Sequence, residues 1–124
     1  MTPGSSGKIC VDQQERVAVV TPCGEMDLHD LTEVVDTLTG VLSDTSTDAT
    51  LLDLSQLTFA DSVFLNQILV TYSGHAAKRR PLVLCGPLHD SVQRLLEITG
   101  TDSVLPLAAG RQDALERLRT SEAP

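Results

Sequence analysis

Regular patterning begins at Ile9. Ile9-Cys10-Val11 and Val17-Ala18-Val19-Val20-Thr21 are rich in β-formers, and the polar stretch Gln13-Gln14-Glu15-Arg16 separates them, which predicts an antiparallel hairpin. Pro22 and Gly24 end the second strand, since proline has no N–H for a ladder and glycine accepts turn geometry. Over residues 28–42 the period becomes helical: Leu31, Val34, Val35, Leu38, Val41 and Leu42 recur at three- and four-residue spacing, with Asp27, Asp30 and Glu33 toward the positive end. Residues 43–48 form a polar loop. Leu51, Leu52 and Leu54 then make a short apolar run, the pattern of a strand buried on both faces.

A second helix follows. Leu65, Ile68, Leu69, Tyr72 and Ala76 share one face, so the helix has to begin near Asp61 or Ser62, whose oxygens can accept the free N–H groups of a first turn. Asp61 is predicted as the N-cap and Ser62 as the first helical residue. At about 100° per residue, Val63 and Val70 point away from the apolar face, with Asn66 and Gln67 beside them. Pro81 opens an apolar strand over residues 82–85, and Gly86-Pro87 breaks it. Asp90 or Ser91 caps a helix carrying Val92, Leu95, Leu96 and Ile98, closed by Gly100. Val104-Leu105-Pro106-Leu107 reads as a short edge strand, and residues 108–119 as a last helix with Ala114, Leu115 and Leu118 apolar.

Strands alternating with helices call for parallel pairing through right-handed crossovers. The fold class is therefore α/β: a mixed β-sheet with an N-terminal antiparallel hairpin, parallel strands and about four helices mainly on one face. A chain of 124 residues makes one domain. Its expected extent is residues 8–120, with a disordered Gly/Ser/Pro-rich tail over 1–7 and a frayed end over 121–124.

Composition narrows the function classes. No apolar run approaches the ~20 residues of a membrane span, and MTPGSSGK lacks the apolar core of a signal peptide, so a cytoplasmic protein without a membrane partner is expected. The net charge of −8 argues against direct nucleic-acid contact, which needs clustered cations. The only basic cluster, Lys78-Arg79-Arg80, falls at the negative end of the central helix, where a structural role suffices. An acidic surface instead steers the chain toward basic patches on another protein. Cys10, Cys23 and Cys85 are odd in number, widely spaced and set among β-type residues, which predicts buried free thiols rather than a disulfide or zinc site.

Enzymatic chemistry finds no foothold, so no catalytic residue, cofactor or metal is expected. His29, His75 and His89 lack the spacing of a metal site and read as solvated single histidines. There is no Gly-x-Ser-x-Gly elbow and no motif pairing Cys with His. Glu25 and Asp27 stand where a strand turns into a helix, and caps and turns account for them. The glycines stand singly, so no phosphate loop forms. Ser62 presents a hydroxyl at the positive end of the central helix. Taken by itself, an ordinary cap explains it.

The segment LLDLSQLTFADSVFLNQIL, residues 51–69, resembles the central segment of the STAS domain family, whose bacterial members include the anti-sigma factor antagonists. In that family a Phe-x-Asp-Ser-Ser-Gly-Leu signature follows the strand, and the serine directly after the aspartate is phosphorylated by a partner kinase. Phe59, Asp61, Ser62 and Leu65 match it, while Val63 and Phe64 replace the second serine and the glycine. Gly24-Glu25-Met26-Asp27 is similar to the family's Gly-Glu-Leu-Asp. Residues 82–86, followed by Val92-Gln93-Arg94-Leu95-Leu96-Glu97-Ile98-Thr99-Gly100, are similar to its closing strand-helix unit. The resemblance covers roughly residues 8–118.

It implies an anti-sigma factor antagonist rather than an enzyme. Such a protein binds an anti-sigma factor with serine kinase activity while Ser62 is unphosphorylated, releases it on phosphorylation and is reset by a phosphatase. A monomer or weak homodimer is expected. The alternative is a STAS subunit of a transport or stress-signalling assembly, a constitutive protein-interaction module. The expected partner-binding residues are Asp27, Asp61, Ser62, Val63, Asn66 and Val70, with Phe64 at the margin between core and interface.

Overall fold

Two strands of opposite direction open the computed structural model, which describes residues 8–121. The tail expected over 1–7 lies outside the described residues, as do positions 122–124 of the expected frayed end. β1 (Ile9–Gln14) and β2 (Val17–Pro22) form the predicted hairpin, with Ile9 opposite Pro22 and Gln14 opposite Val17. Pro22 fits inside β2 because the ladder to the other neighbouring strand already stops at Val20, so no N–H is needed there.

Gly24 does not lead into a loop. Its φ of 77° turns the chain into a further strand, β3 (Gly24–Met26), which the sequence reading lacked. Next come a short 3-10 turn (Leu28–Asp30) and α1 (Leu31–Ser43). β4 (Ala49–Asp53) is buried along its whole length, as its apolar run requires. β5 (Leu57–Ala60) was also not foreseen as a strand; it pairs in parallel with β3 as a separate two-stranded sheet. After α2 (Ser62–Ala77) come β6 (Leu82–Cys85), α3 (Asp90–Thr99), β7 (Leu107–Ala108) and α4 (Arg111–Ser121). The main sheet has the order β1-β2-β4-β6-β7, antiparallel only at the hairpin.

Helices cover mainly one face, as predicted. Val34 and Leu38 of α1, Phe64 and Ile68 of α2 and Val92 of α3 pack on Ala18, Val20, Leu52 and Leu84. α4 covers the opposite face, with Ala114, Leu115 and Leu118 against Val17, Val19, Leu51 and Val83. Each buried leucine contributes about 1.5–3 kcal/mol, which is why β4, apolar on both faces, holds the centre of the sheet.

Several boundaries shift for identifiable reasons. β7 starts after Pro106, whose carbonyl oxygen accepts the Leu84 N–H at 2.8 Å; Val104 is exposed and Leu105 buried in the core. His89, rather than Asp90 or Ser91, occupies the cap position of α3, and Ser91 donates its hydroxyl to the Thr58 carbonyl. Ile98 is exposed, whereas Gly100 closes α3 in the left-handed region as predicted. α4 continues through Ser121, where fraying was expected to begin.

His75 overturns the expectation of solvated histidines. It is 1% exposed and its Nδ1 lies 2.8 Å from the Thr71 carbonyl oxygen, so Nδ1 donates and Nε2, 2.8 Å from Thr50 Oγ1, accepts. Burial, with Arg80 nearby, lowers its pKa and keeps the ring neutral despite the Thr71 bond. Arg80 ties the end of α2 to the loop before β4 through the Thr47 carbonyl at 2.7 Å and the Thr47 hydroxyl. The basic triplet is structural at that residue. Of the three free cysteines only Cys85 is buried as expected; Cys23 is half-buried and Cys10 exposed, because α4 packs on β4, β6 and β7 and leaves the outer strand β1 largely uncovered.

Candidate functional site at the start of α2

β5 delivers the chain to Asp61, whose backbone stays extended (φ −99°, ψ −179°) so that its Oδ1 accepts the Phe64 N–H at 3.0 Å. This is the predicted N-cap, and Ser62 is the predicted first helical residue. Ser62 is exposed, and among the described residues no side-chain hydrogen bond ties its hydroxyl down. The hydroxyl therefore faces solvent at the positive end of a 16-residue helix.

The small β3–β5 sheet brings a second acidic residue to the same place. Met26 is the register partner of Ala60, and the Asp61 N–H donates to the Met26 carbonyl oxygen at 3.3 Å. Asp27, the next residue, therefore borders Asp61 although 34 positions separate them in sequence. Asp27 also has structural work. Its Oδ1 accepts the His29 N–H at 2.9 Å, while Asp30 Oδ2 accepts the Asp27 N–H at 2.9 Å, a reciprocal capping box. The hydrogen bond from the Asp27 backbone, helped by Lys8 at 3.3 Å, holds the Asp30 carboxyl below its ordinary pKa against the opposing pull of burial.

The remaining expected contact residues separate into two groups. Ser62, Asn66 and Val70 are all exposed and follow one another at four-residue spacing, a single row along α2. Val63, seven residues before Val70 on the same side of the helix, is half-buried, so that face is partly covered at its first turn. Val70 borders a groove of about 180 Å³ between α2 and α1, with Val35 and Leu42 on the far wall. Phe64, expected at the margin, is 4% exposed and belongs to the core. It cannot touch a partner without leaving that core, and its role is to hold the first turn of α2 down.

Two apolar residues near this site are exposed: Phe59, which the signature already singled out, and Leu28, which the sequence reading did not. Phe59 pairs in register with Glu25 and is 45% exposed; Leu28, one residue beyond Asp27, is 58% exposed. The parallel pairing of two very short strands gathers them, and neither strand has a periodicity of its own. Among the described residues no side chain accepts a hydrogen bond from the Ser62 hydroxyl, and no group of three or more His, Cys, Asp or Glu is arranged to hold a metal ion. The arrangement suits a hydroxyl that is acted upon, on a rim of acidic and apolar side chains. No helix among the described residues is long and apolar enough to cross a membrane.

The family model for the STAS domain matches residues 8–114. Among solved structures, an anti-sigma factor antagonist from Mycobacterium paratuberculosis superposes with a TM-score of 0.80 at 27% identity, over 90% of this chain and 92% of that one. An anti-sigma factor antagonist (STAS) domain protein from Planctomyces limnophilus gives 0.76 at 18% identity, covering 90% and 98%. The phosphorylated form of SpoIIAA, a Bacillus cell fate determinant, gives 0.67 at 15% identity, covering 90% and 99%; this likeness is one of fold.

Proposed function

The chain belongs to the STAS domain family, and on that footing we propose that it is an anti-sigma factor antagonist regulating sigma-factor-dependent transcription through the state of Ser62. With Ser62 unphosphorylated it binds an anti-sigma factor that has serine kinase activity. Phosphorylation of Ser62 releases that partner, and a phosphatase restores binding. The observation that carries this reading is the exposed Ser62 at a capped helix start, directly after Asp61, which Asp27 borders, with Leu28 and Phe59 exposed on the same pair of short strands and the turn after them.

A phosphate on Ser62 adds about −1.5 to −2 charges. The helix N-terminus accommodates an anion, so the fold is expected to stay intact. Docking is another matter, because the new charge joins Asp61 and Asp27 on a surface fitted to a partner complementary to a neutral hydroxyl. Asp27, Asp61, Ser62, Asn66 and Val70 form the surface part of this proposed contact, with Val63 at its edge and Phe64 supporting it from below.

Incubating the chain with its cognate anti-sigma factor, ATP and magnesium tests the reading. One phosphate is expected on the wild type and none on Ser62→Ala, which should keep its partner. Phosphate on another residue removes Ser62 as the switch. Stable binding with no phosphorylation at all favours the constitutive module of a transport or stress-signalling assembly.

A further inference from the structure

Cys10, Cys23 and Cys85 are far apart in sequence, yet the sheet collects them at one end of one face. Cys10 lies opposite Thr21 across the hairpin, and Asp53 opposite Cys85 in the parallel part. The pairing of Val20 with Leu52 sets Thr21 beside Asp53, so these residues form one row. Cys85 belongs to the cluster under α4, which identifies the face. Cys23 follows Thr21 by two residues and so shares that face, diagonal to Cys10. Its Sγ leans back along the strand to the Thr21 carbonyl oxygen at 3.7 Å, on the side of the Cys10 strand, and Cys10 is near enough to help push the Cys23 thiol up.

We propose that Cys10 and Cys23 form a redox-sensitive modification site, which a peroxide converts into an intramolecular disulfide and a dithiol restores. Cys10, the exposed member, reacts first. Its thiolate attacks a peroxide oxygen: an S–O bond forms, the O–O bond breaks, and the hydroxide that leaves takes up a proton as water. The Cys23 thiolate then attacks the Cys10 sulfur, an S–S bond forms and the S–O bond breaks, and the second hydroxide takes up the Cys23 proton. Two thiols lose two electrons and two protons, and the peroxide becomes two waters. Burial, then Cys10 and Asp53, push the Cys23 thiol up, so ring closure is expected to speed as pH rises. Cys85 is set apart: burial and the Asp53 carboxylate push its thiol up to about 12, and it lies beneath α4.

Closing the bond needs Cβ atoms about 4 Å apart, nearer than a diagonal strand pair stands, so the Cys23 backbone has to move toward β1. Its position allows that. It lies in the break between β2 and β3, held to the Lys8 carbonyl oxygen at 2.7 Å and followed by Gly24 in the left-handed region.

The test uses the full chain, reduced and then treated with hydrogen peroxide. Free thiols should fall from three to one, the mass should drop by two hydrogens, and peptide mapping should join Cys10 to Cys23. Cys10→Ser and Cys23→Ser should each prevent this while keeping the circular dichroism of the wild type. A link to Cys85, a dimer joined through Cys10, or three thiols surviving a peroxide dose that oxidises a free peptide thiol would each overturn the proposal. Mapping on the wild type decides the matter even if a variant fails to fold.

Discussion

Ser62 and Asp61 are neighbours with separate duties, and substitutions should tell them apart. Asp61 holds the first turn of α2 through a 3.0 Å bond to the Phe64 N–H. Asp61→Ala is therefore expected to cost about 1 kcal/mol, a loss of a few degrees in melting temperature on a chain of this size. An unchanged thermal melt would mean that Asp61 serves only the surface. Ser62 is exposed and its side chain is held by no hydrogen bond among the described residues, so Ser62→Asp should keep the far-ultraviolet spectrum and stay within about 0.5 kcal/mol of wild-type stability. Partner binding should fall all the same. Global unfolding of that variant would make the serine a structural group and remove it as a switch.

α2 is buried more broadly than its apolar pattern suggests. The inward residues are Phe64, Leu65, Ile68, Thr71 and His75, whereas Leu69 and Tyr72 are only half-buried and Ala76 is exposed. The helix packs on the sheet with α1 beside it, so its first turn sinks Phe64 and its last turns carry polar Thr71 and His75 inward. Phe64→Ala should cost about 3–5 kcal/mol as a cavity in the core. Val70→Asp, on the exposed row with Ser62 and Asn66, should leave the melt almost unchanged and weaken binding in a pull-down or by calorimetry. Normal binding by Val70→Asp would move the contact off this row. Val63→Asp is a poorer probe, because a half-buried valine replaced by a charge is expected to lower stability as well.

For the molecule as a whole, acid should act in two steps. His75 has a lowered pKa in the folded protein, so below about 6.5 the unfolded chain binds a proton that the folded one refuses. Stability is then lost as pH falls below that value, by at most about 1.4 kcal/mol per pH unit. Carboxylates act lower on the scale. Burial pushes the Asp53 carboxyl up, but the Ser55 N–H at 3.0 Å and Arg111 at 2.7 Å outweigh it, leaving the pKa below 3.8. Its contribution, present above that value, disappears as pH falls through the folded pKa. Melting temperature against pH should therefore decline in two stages, and His75→Gln should remove the upper one. An imidazole that titrates near 6.5 by NMR would contradict the buried neutral ring.

The parts legible in the chain are those set by local period or local hydrogen bonding. The hairpin, the doubly buried β4, the Asp61 cap with Ser62 behind it and the Gly100 stop each depend on a few consecutive residues. What escaped depends on partners far along the chain. β3 and β5 are three and four residues long, too short for a period, and exist because each is the other's ladder. That pairing alone brings Asp27 and Leu28 to the start of α2. His75 reads as polar and solvated until Thr50, 25 residues away, is brought against its ring. Phe64 turns inward because α2 packs on the sheet with α1 beside it, which a single stripe of leucines does not reveal. The cysteines, too, come together through strand register alone, a long-range property fixed when the sheet closes.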